Sequence, residues 1–97
     1  MSTLLYSARA IDDMARLADF LAEDDPVEGL ATGEIIAGGI KVLETHPLIG
    51  RSVEEGLREL VISRGRSGYL ALYEYQPAMD RVVVVAIRHQ REAGFEE

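Results

Sequence analysis

The chain has 97 residues, which is one domain's worth and leaves no room for a second core. Apolar residues make up 47% and charged residues 28%, the balance of an ordinary globular domain. The net charge of -7 disfavours a protein that lives by wrapping naked nucleic acid, because such binding runs on neutralised phosphates.

Thr3-Leu4-Leu5-Tyr6 is a short apolar run that suits an edge strand. Ser7 follows as a helix N-cap, its hydroxyl placed to accept from a free backbone N–H of the first turn. Ile11, Met14, Ala15, Ala18, Leu21 and Ala22 recur at helical spacing, with Leu17 and Phe20 widening the apolar face. Asp12, Arg16, Asp19 and Glu23 fill the remaining arc. Glu23-Asp24-Asp25-Pro26 ends this helix, because the residue before a proline is pushed out of the α region. The same segment starts another helix, with Asp25 as cap and Pro26 at the first helical position.

The second helix is expected over 26–44, with Ile36, Ile40 and Leu43 as its apolar stripe. Gly29, Gly33, Gly38 and Gly39 each cost it about 1 kcal/mol relative to alanine. Close packing against the first helix is the simplest compensation. From Leu57 the period changes to that of strands. The expected strands cover 57–63, 69–75 and 81–89, with turns at 64–68 and 77–80. Val82 to Ile87 is apolar on both faces, as a central strand should be. The expected fold is α+β, in the order β-α-α-β-β-β. An N-terminal helical hairpin packs on a small antiparallel sheet, in one domain over 1–97.

No cysteine is present, which excludes a disulfide scaffold and thiolate zinc sites. Two distant histidines without an HExxH pattern argue against a catalytic metal, and no cofactor is expected. There is no GxxxxGK[ST] loop, no GxGxxG after a strand and no nucleophile elbow. The acid pairs Asp12-Asp13 and Asp24-Asp25 sit at a helix start and a helix junction, where capping and solvation account for them. No apolar run approaches the ~20 residues of a membrane span. Met1 to Tyr6 lacks the features of a secretory signal, so a cytoplasmic location is expected.

Charge is unevenly spread. Residues 1–50 hold three basic and nine acidic side chains. The seven basic residues of 51–97 are all arginines: Arg51, Arg58, Arg64, Arg66, Arg81, Arg88 and Arg91. Guanidinium groups grip carboxylates and phosphates in two-point fashion. The segment Ile87-Arg88-His89-Gln90-Arg91 follows the central strand directly. It reads either as a site for a phosphate, a partner carboxylate or a proton transfer, or as a solvated strand end.

Taken together, these motifs resemble the RelE/ParE superfamily, the stable toxins of type II toxin–antitoxin pairs, often called plasmid stabilisation proteins. Tyr6, Ala8, Asp12 and Phe20 are similar to its first strand and helix. Ile36, Ile40, Leu43, Pro47, Gly50 and Arg51 are similar to its "I…L…P..GR" stretch. Leu57 to Ile62 is similar to its "LREL" strand, and Tyr69 with Leu72-Tyr73 to its "Y..LY" strand. Val83, Val85, Ile87-Arg88-His89 and Arg91-Glu92 are similar to its "V.I.IRH.RE" ending.

The resemblance implies one of two activities. RelE-like members cut mRNA on the ribosome with basic residues and a C-terminal tyrosine or histidine. ParE-like members poison DNA gyrase. This chain departs from the nuclease pattern. Val61-Ile62-Ser63 stands where catalytic lysines would be, Leu70 replaces an arginine, and Phe95 replaces the tyrosine. A phenyl ring has no hydroxyl to exchange a proton. The resemblance therefore favours a ParE-like gyrase inhibitor that acts by binding. Its target contacts are expected at Arg58, Arg64, Arg66, Arg88, His89, Arg91 and Phe95. In the nuclease alternative His89 and Arg91 would be catalytic, and a third reading is an inactive relic that only binds antitoxin. The implied partner is a ParD- or RelB-like antitoxin folding over the hairpin and sheet, with Leu17, Leu21, Ile36 and Ile40 as expected contacts. The acidic helices predict arginine or lysine on the antitoxin side. In a free toxin, a second copy of the chain is the alternative cover for that surface.

Overall fold

In the computed structural model the described residues are 1–23, 25–62 and 68–90, without the side chains of Leu21, Glu28 and Leu30. The order is β1 (Thr3–Tyr6), α1 (Ala8–Ala22), α2 (Pro26–Ile40), β2 (Arg51–Ser52), β3 (Leu57–Ile62), β4 (Tyr69–Gln76) and β5 (Arg81–His89). A 3-10 turn over Lys41–Glu44 carries α2 onward, so the expected helix to residue 44 changes pitch at its last turn. The sheet order is β1-β5-β4-β3-β2.

The sheet is mixed, which corrects the expectation of an antiparallel one. β2, β3, β4 and β5 are antiparallel neighbours, but β1 runs parallel to β5 from Thr3 opposite Arg81 to Tyr6 opposite Val84. Parallel pairing needs a long crossover, and here the helical hairpin and the strands after it supply it. The two-residue β2 was not expected. It closes on β3 through a turn in which Gly56 takes φ +78°, a conformation suited to glycine. Asp80 ends the β4–β5 turn at φ +47°. Ser2 Oγ donates to its Oδ1 at 2.6 Å and Tyr75 donates its hydroxyl at 3.0 Å. Those two bonds hold the Asp80 carboxyl below the usual carboxylate range.

The hairpin covers one sheet face. Leu17, Ile36, Ile40 and Leu43 meet Leu60, Ile62, Tyr69, Ala71, Tyr73, Val82, Val84 and Ile87 in one core. Within α1 the buried face is centred on Ala10, Asp13 and Leu17 rather than on Ile11 and Ala15, which are exposed. Asp13 turns inward because it has a backbone partner there. The glycines of α2 divide as well. A Cβ at Gly29 would lie 2.6 Å from Cβ of Ala22 and 2.8 Å from the Ala18 carbonyl, so this glycine does let the helices close up. Gly39 faces Ile62 of the sheet instead, and Gly33 and Gly38 face open space.

Candidate interaction site at the end of β5

β1 covers only the first part of β5. Past Tyr6 the chain turns away into α1, and the edge of β5 is left with backbone groups that need partners. Polar side chains at the start of α1 supply them. The Ser7 N–H donates to the Val84 carbonyl at 2.9 Å, and Ser7 Oγ donates to the Val85 carbonyl at 2.8 Å. The same oxygen accepts the Ala10 N–H at 3.0 Å, so the expected cap is present and does two jobs. Asp13 Oδ2 then accepts the buried Ile87 N–H at 2.9 Å. Arg16 bridges Asp13 Oδ1 and the Ile87 carbonyl, both at 3.3 Å. A β-bulge sits in the same stretch: Leu72 faces Ala86 and Tyr73 faces Val84, leaving Val85 as the extra residue. The end of β5 is thus held by side chains of one helix, and it delivers Arg88 and His89.

Those two residues leave the strand on opposite faces. His89 turns under the helices and is 1% exposed. Tyr69 meets its ring edge-on at a centroid distance of 5.3 Å, and Phe20 lies 6.4 Å away on a tilted plane. Arg88 is half-buried, pairs across the sheet with Leu70, and donates to the His89 carbonyl at 3.3 Å. It belongs to the sheet face away from the hairpin, where Val61 and Leu5 are exposed.

Arg58 is committed to structure. Its guanidinium donates to the carbonyls of Gly50 at 2.8 Å and Leu48 at 3.3 Å, clamping the chain between the 3-10 turn and β2. The Tyr73 hydroxyl works on the same segment, accepting the Gly50 N–H at 2.9 Å and donating to the Pro47 carbonyl at 2.8 Å. Burial raises the Tyr73 hydroxyl pKa above its ordinary value, with the Gly50 N–H and Arg58 opposing in part. The clamped segment carries Leu48 and Ile49, both more than half exposed.

Of the other expected contacts, Arg64, Arg66, Arg91 and Phe95 lie outside the described residues, as does the side chain of Leu21. Leu17, Ile36 and Ile40 are fully buried between the helices and the sheet, so in this structure they have no surface to offer an antitoxin. Their helical spacing marked a core stripe, which periodicity alone cannot tell from a docking stripe. Asp13 is the residue the sequence reading missed. Its position three after Ala10 and four before Leu17 puts it on the buried stripe, and that spacing was the available signal. Among the described residues, no three His, Asp or Glu side chains gather in a way that could hold a metal ion. No described helix is long and apolar enough to cross a membrane.

This arrangement has relatives. Residues 4–94 match the family model described as the ParE toxin of the type II toxin–antitoxin system, parDE. Toxin RelE3 of Caulobacter vibrioides is 30% identical over 92 residues, covering 95% of this chain and 98% of its own. Toxin RelE1 of the same organism is 37% identical over 71 residues, covering 73% and 76%. Among solved structures, the chromosomal ParDE system of P. aeruginosa superposes with a TM-score of 0.76 at 20% identity, over 92% of this chain and 96% of that one. The intact E. coli RelBE toxin–antitoxin complex gives 0.66 at 14% identity, over 96% and 100%. A helical hairpin on a five-stranded mixed sheet is therefore the RelE/ParE toxin fold. The chain belongs to the ParE toxin family and is a type II toxin of the RelE/ParE superfamily.

Proposed function

We propose that this toxin acts by gripping a protein target while breaking no covalent bond, and that the target is DNA gyrase. The observation that carries this reading is the placement of His89. A ring with 1% exposure, packed against Tyr69 and Phe20, is not presented to a macromolecular phosphodiester. Arg58 points the same way, because its guanidinium is engaged with the backbone of residues 48 and 50. The absent hydroxyl at Phe95 and the apolar Val61-Ile62 pair agree with a toxin that binds. Arg88 offers the target a guanidinium at the end of β5, and Arg64, Arg66, Arg91 and Phe95 extend that contact surface in our reading. A cognate antitoxin of ParD or RelB type neutralises it, in a cytoplasmic plasmid-stabilisation pair.

The names of the two curated relatives, both RelE toxins, favour a second reading as a ribosome-dependent mRNA endonuclease using His89 and Arg91. That reading needs His89 to leave its pocket. Inducible expression without antitoxin separates the two. Growth arrest with inhibited gyrase supercoiling and intact mRNA is expected. Codon-phased mRNA cleavage on translating ribosomes, lost in His89→Ala, would establish the nuclease. Normal growth would mark an inactive antitoxin-binding relic.

A further inference from the structure

We infer that the outer face of α2 is a self-association surface, and that two copies of the chain pair through an antiparallel α2–α2 contact centred between Ala37 and Gly38. α2 is apolar on nearly every side. One side is used against α1 and the sheet, through Gly29, Ile36 and Ile40. The opposite side still presents Val27 at 74% exposure, Ile35 at 36%, and the exposed Ala37 and Gly38. A helix that is hydrophobic all round is normally covered, and among the described residues Val27, Ile35, Ala37 and Gly38 stay exposed.

The charge pattern selects a second copy as the occupant. Among the described side chains from Val27 to Lys41, the charged ones are Glu34 and Lys41, both exposed. Glu34 lies within α2 and Lys41 follows directly on its last residue, opening the 3-10 turn, so the two flank Ala37 and Gly38 at a spacing near two helical turns. In a two-fold interface residue i meets residue j while j meets i, so the surface must complement itself. Antiparallel pairing about this midpoint sets Glu34 of each copy against Lys41 of the other and Ala37 against Gly38. Small residues at the crossing let the backbones approach. Among the described residues no close contact requires glycine at position 38, since a Cβ there would meet no atom within 4 Å. The helix therefore carries glycine's cost of about 1 kcal/mol without an internal return.

The test reads only oligomeric state and antitoxin affinity, so its failure leaves the gyrase reading untouched. The full chain, released from its antitoxin by denaturant and refolded, is examined by sedimentation equilibrium at up to about 100 μM, where even a small interface would be paired. A dimer is expected. Gly38→Arg should weaken it about tenfold or more while the thermal melt stays cooperative. Glu34→Lys and Lys41→Glu should each weaken the dimer, and the double exchange should restore it. The two charge variants sit on exposed positions and keep the test open even if Gly38→Arg folds poorly. A monomeric parent chain, a dimer indifferent to these substitutions, or a double exchange that fails to restore pairing would each overturn the inference. So would a monomer in which Gly38→Arg weakens antitoxin binding, because the face would then belong to that partner.

Discussion

α1 and α2 are the same length, 15 residues each, and pack side by side, yet they are attached to the sheet by opposite means. α1 is amphipathic and reaches into the sheet with polar side chains. Ser7, Asp13 and Arg16 between them engage the backbone of Val85 and Ile87. α2 is attached largely by shape. Glycine removes the side chain where α2 meets Ala18 and Ala22, and again where it meets Ile62. The polar helix therefore fixes where the end of β5 lies, and the apolar helix fixes how thick the domain is. The contact proposed above for the β5 end calls for the first kind of attachment beside Arg88.

The largest expected effect tests the polar attachment. Asp13→Ala leaves the buried Ile87 N–H without its acceptor and removes one partner of Arg16. The unsatisfied donor should cost about 2–3 kcal/mol of folding stability, read from the urea midpoint. The ion pair adds little, because Arg16 is nearly half exposed. Asp13→Asn keeps an acceptor oxygen and should lose clearly less. If both variants unfold at the parent midpoint, the carboxylate does not hold β5, and the contrast between the helices disappears.

Much of this attachment was legible in the sequence and part was not. The bounds of β1 and β5, the Ser7 cap, and the Ile36, Ile40 and Leu43 stripe follow from local chemistry and period, and the structure has them. The direction of β1 was not legible, because pairing direction is decided by partners distant along the chain. β2 is too short to show alternation. Asp13 looked like a helix-start acid because a carboxylate on an otherwise apolar stripe is costly unless a donor waits for it, and that donor is 74 residues away. The docking role given to Leu17, Ile36 and Ile40 met the same limit. An apolar stripe shows that something covers it, while only the fold shows that the cover is the chain's own sheet. His89 reads as a strand-end residue in sequence, yet strand alternation turns it inward beside Tyr69 and sends Arg88 outward.

The shape-based attachment is tested by two glycines expected to respond with opposite signs. Gly29→Ala puts a methyl within 2.6 Å of Ala22 and should cost about 1–3 kcal/mol as the helices are forced apart. Gly33→Ala meets nothing within 4 Å and should gain up to about 1 kcal/mol from helix propensity. Paired thermal or urea unfolding decides it. A stabilising Gly29→Ala would mean the hairpin has slack, and close approach would no longer account for that glycine.

The smallest effect sharpens the contrast at the two N-caps. Asp25 accepts the Val27 N–H at 3.0 Å on an exposed helix start. Its removal in Asp25→Ala should cost the lower range for a cap, about 0.5–1 kcal/mol. Ser7 accepts the Ala10 N–H and also donates to the Val85 carbonyl beside the bulge. Ser7→Ala therefore removes a cap and a sheet contact together and should cost about 1–2 kcal/mol. Amide hydrogen exchange distinguishes the two beyond their size. Protection should fall at the end of β5 in Ser7→Ala and only in the first turn of α2 in Asp25→Ala. Equal costs with unchanged exchange in β5 would show that the Ser7 hydroxyl serves the helix alone, and that the strand end owes its position to Asp13 and Arg16.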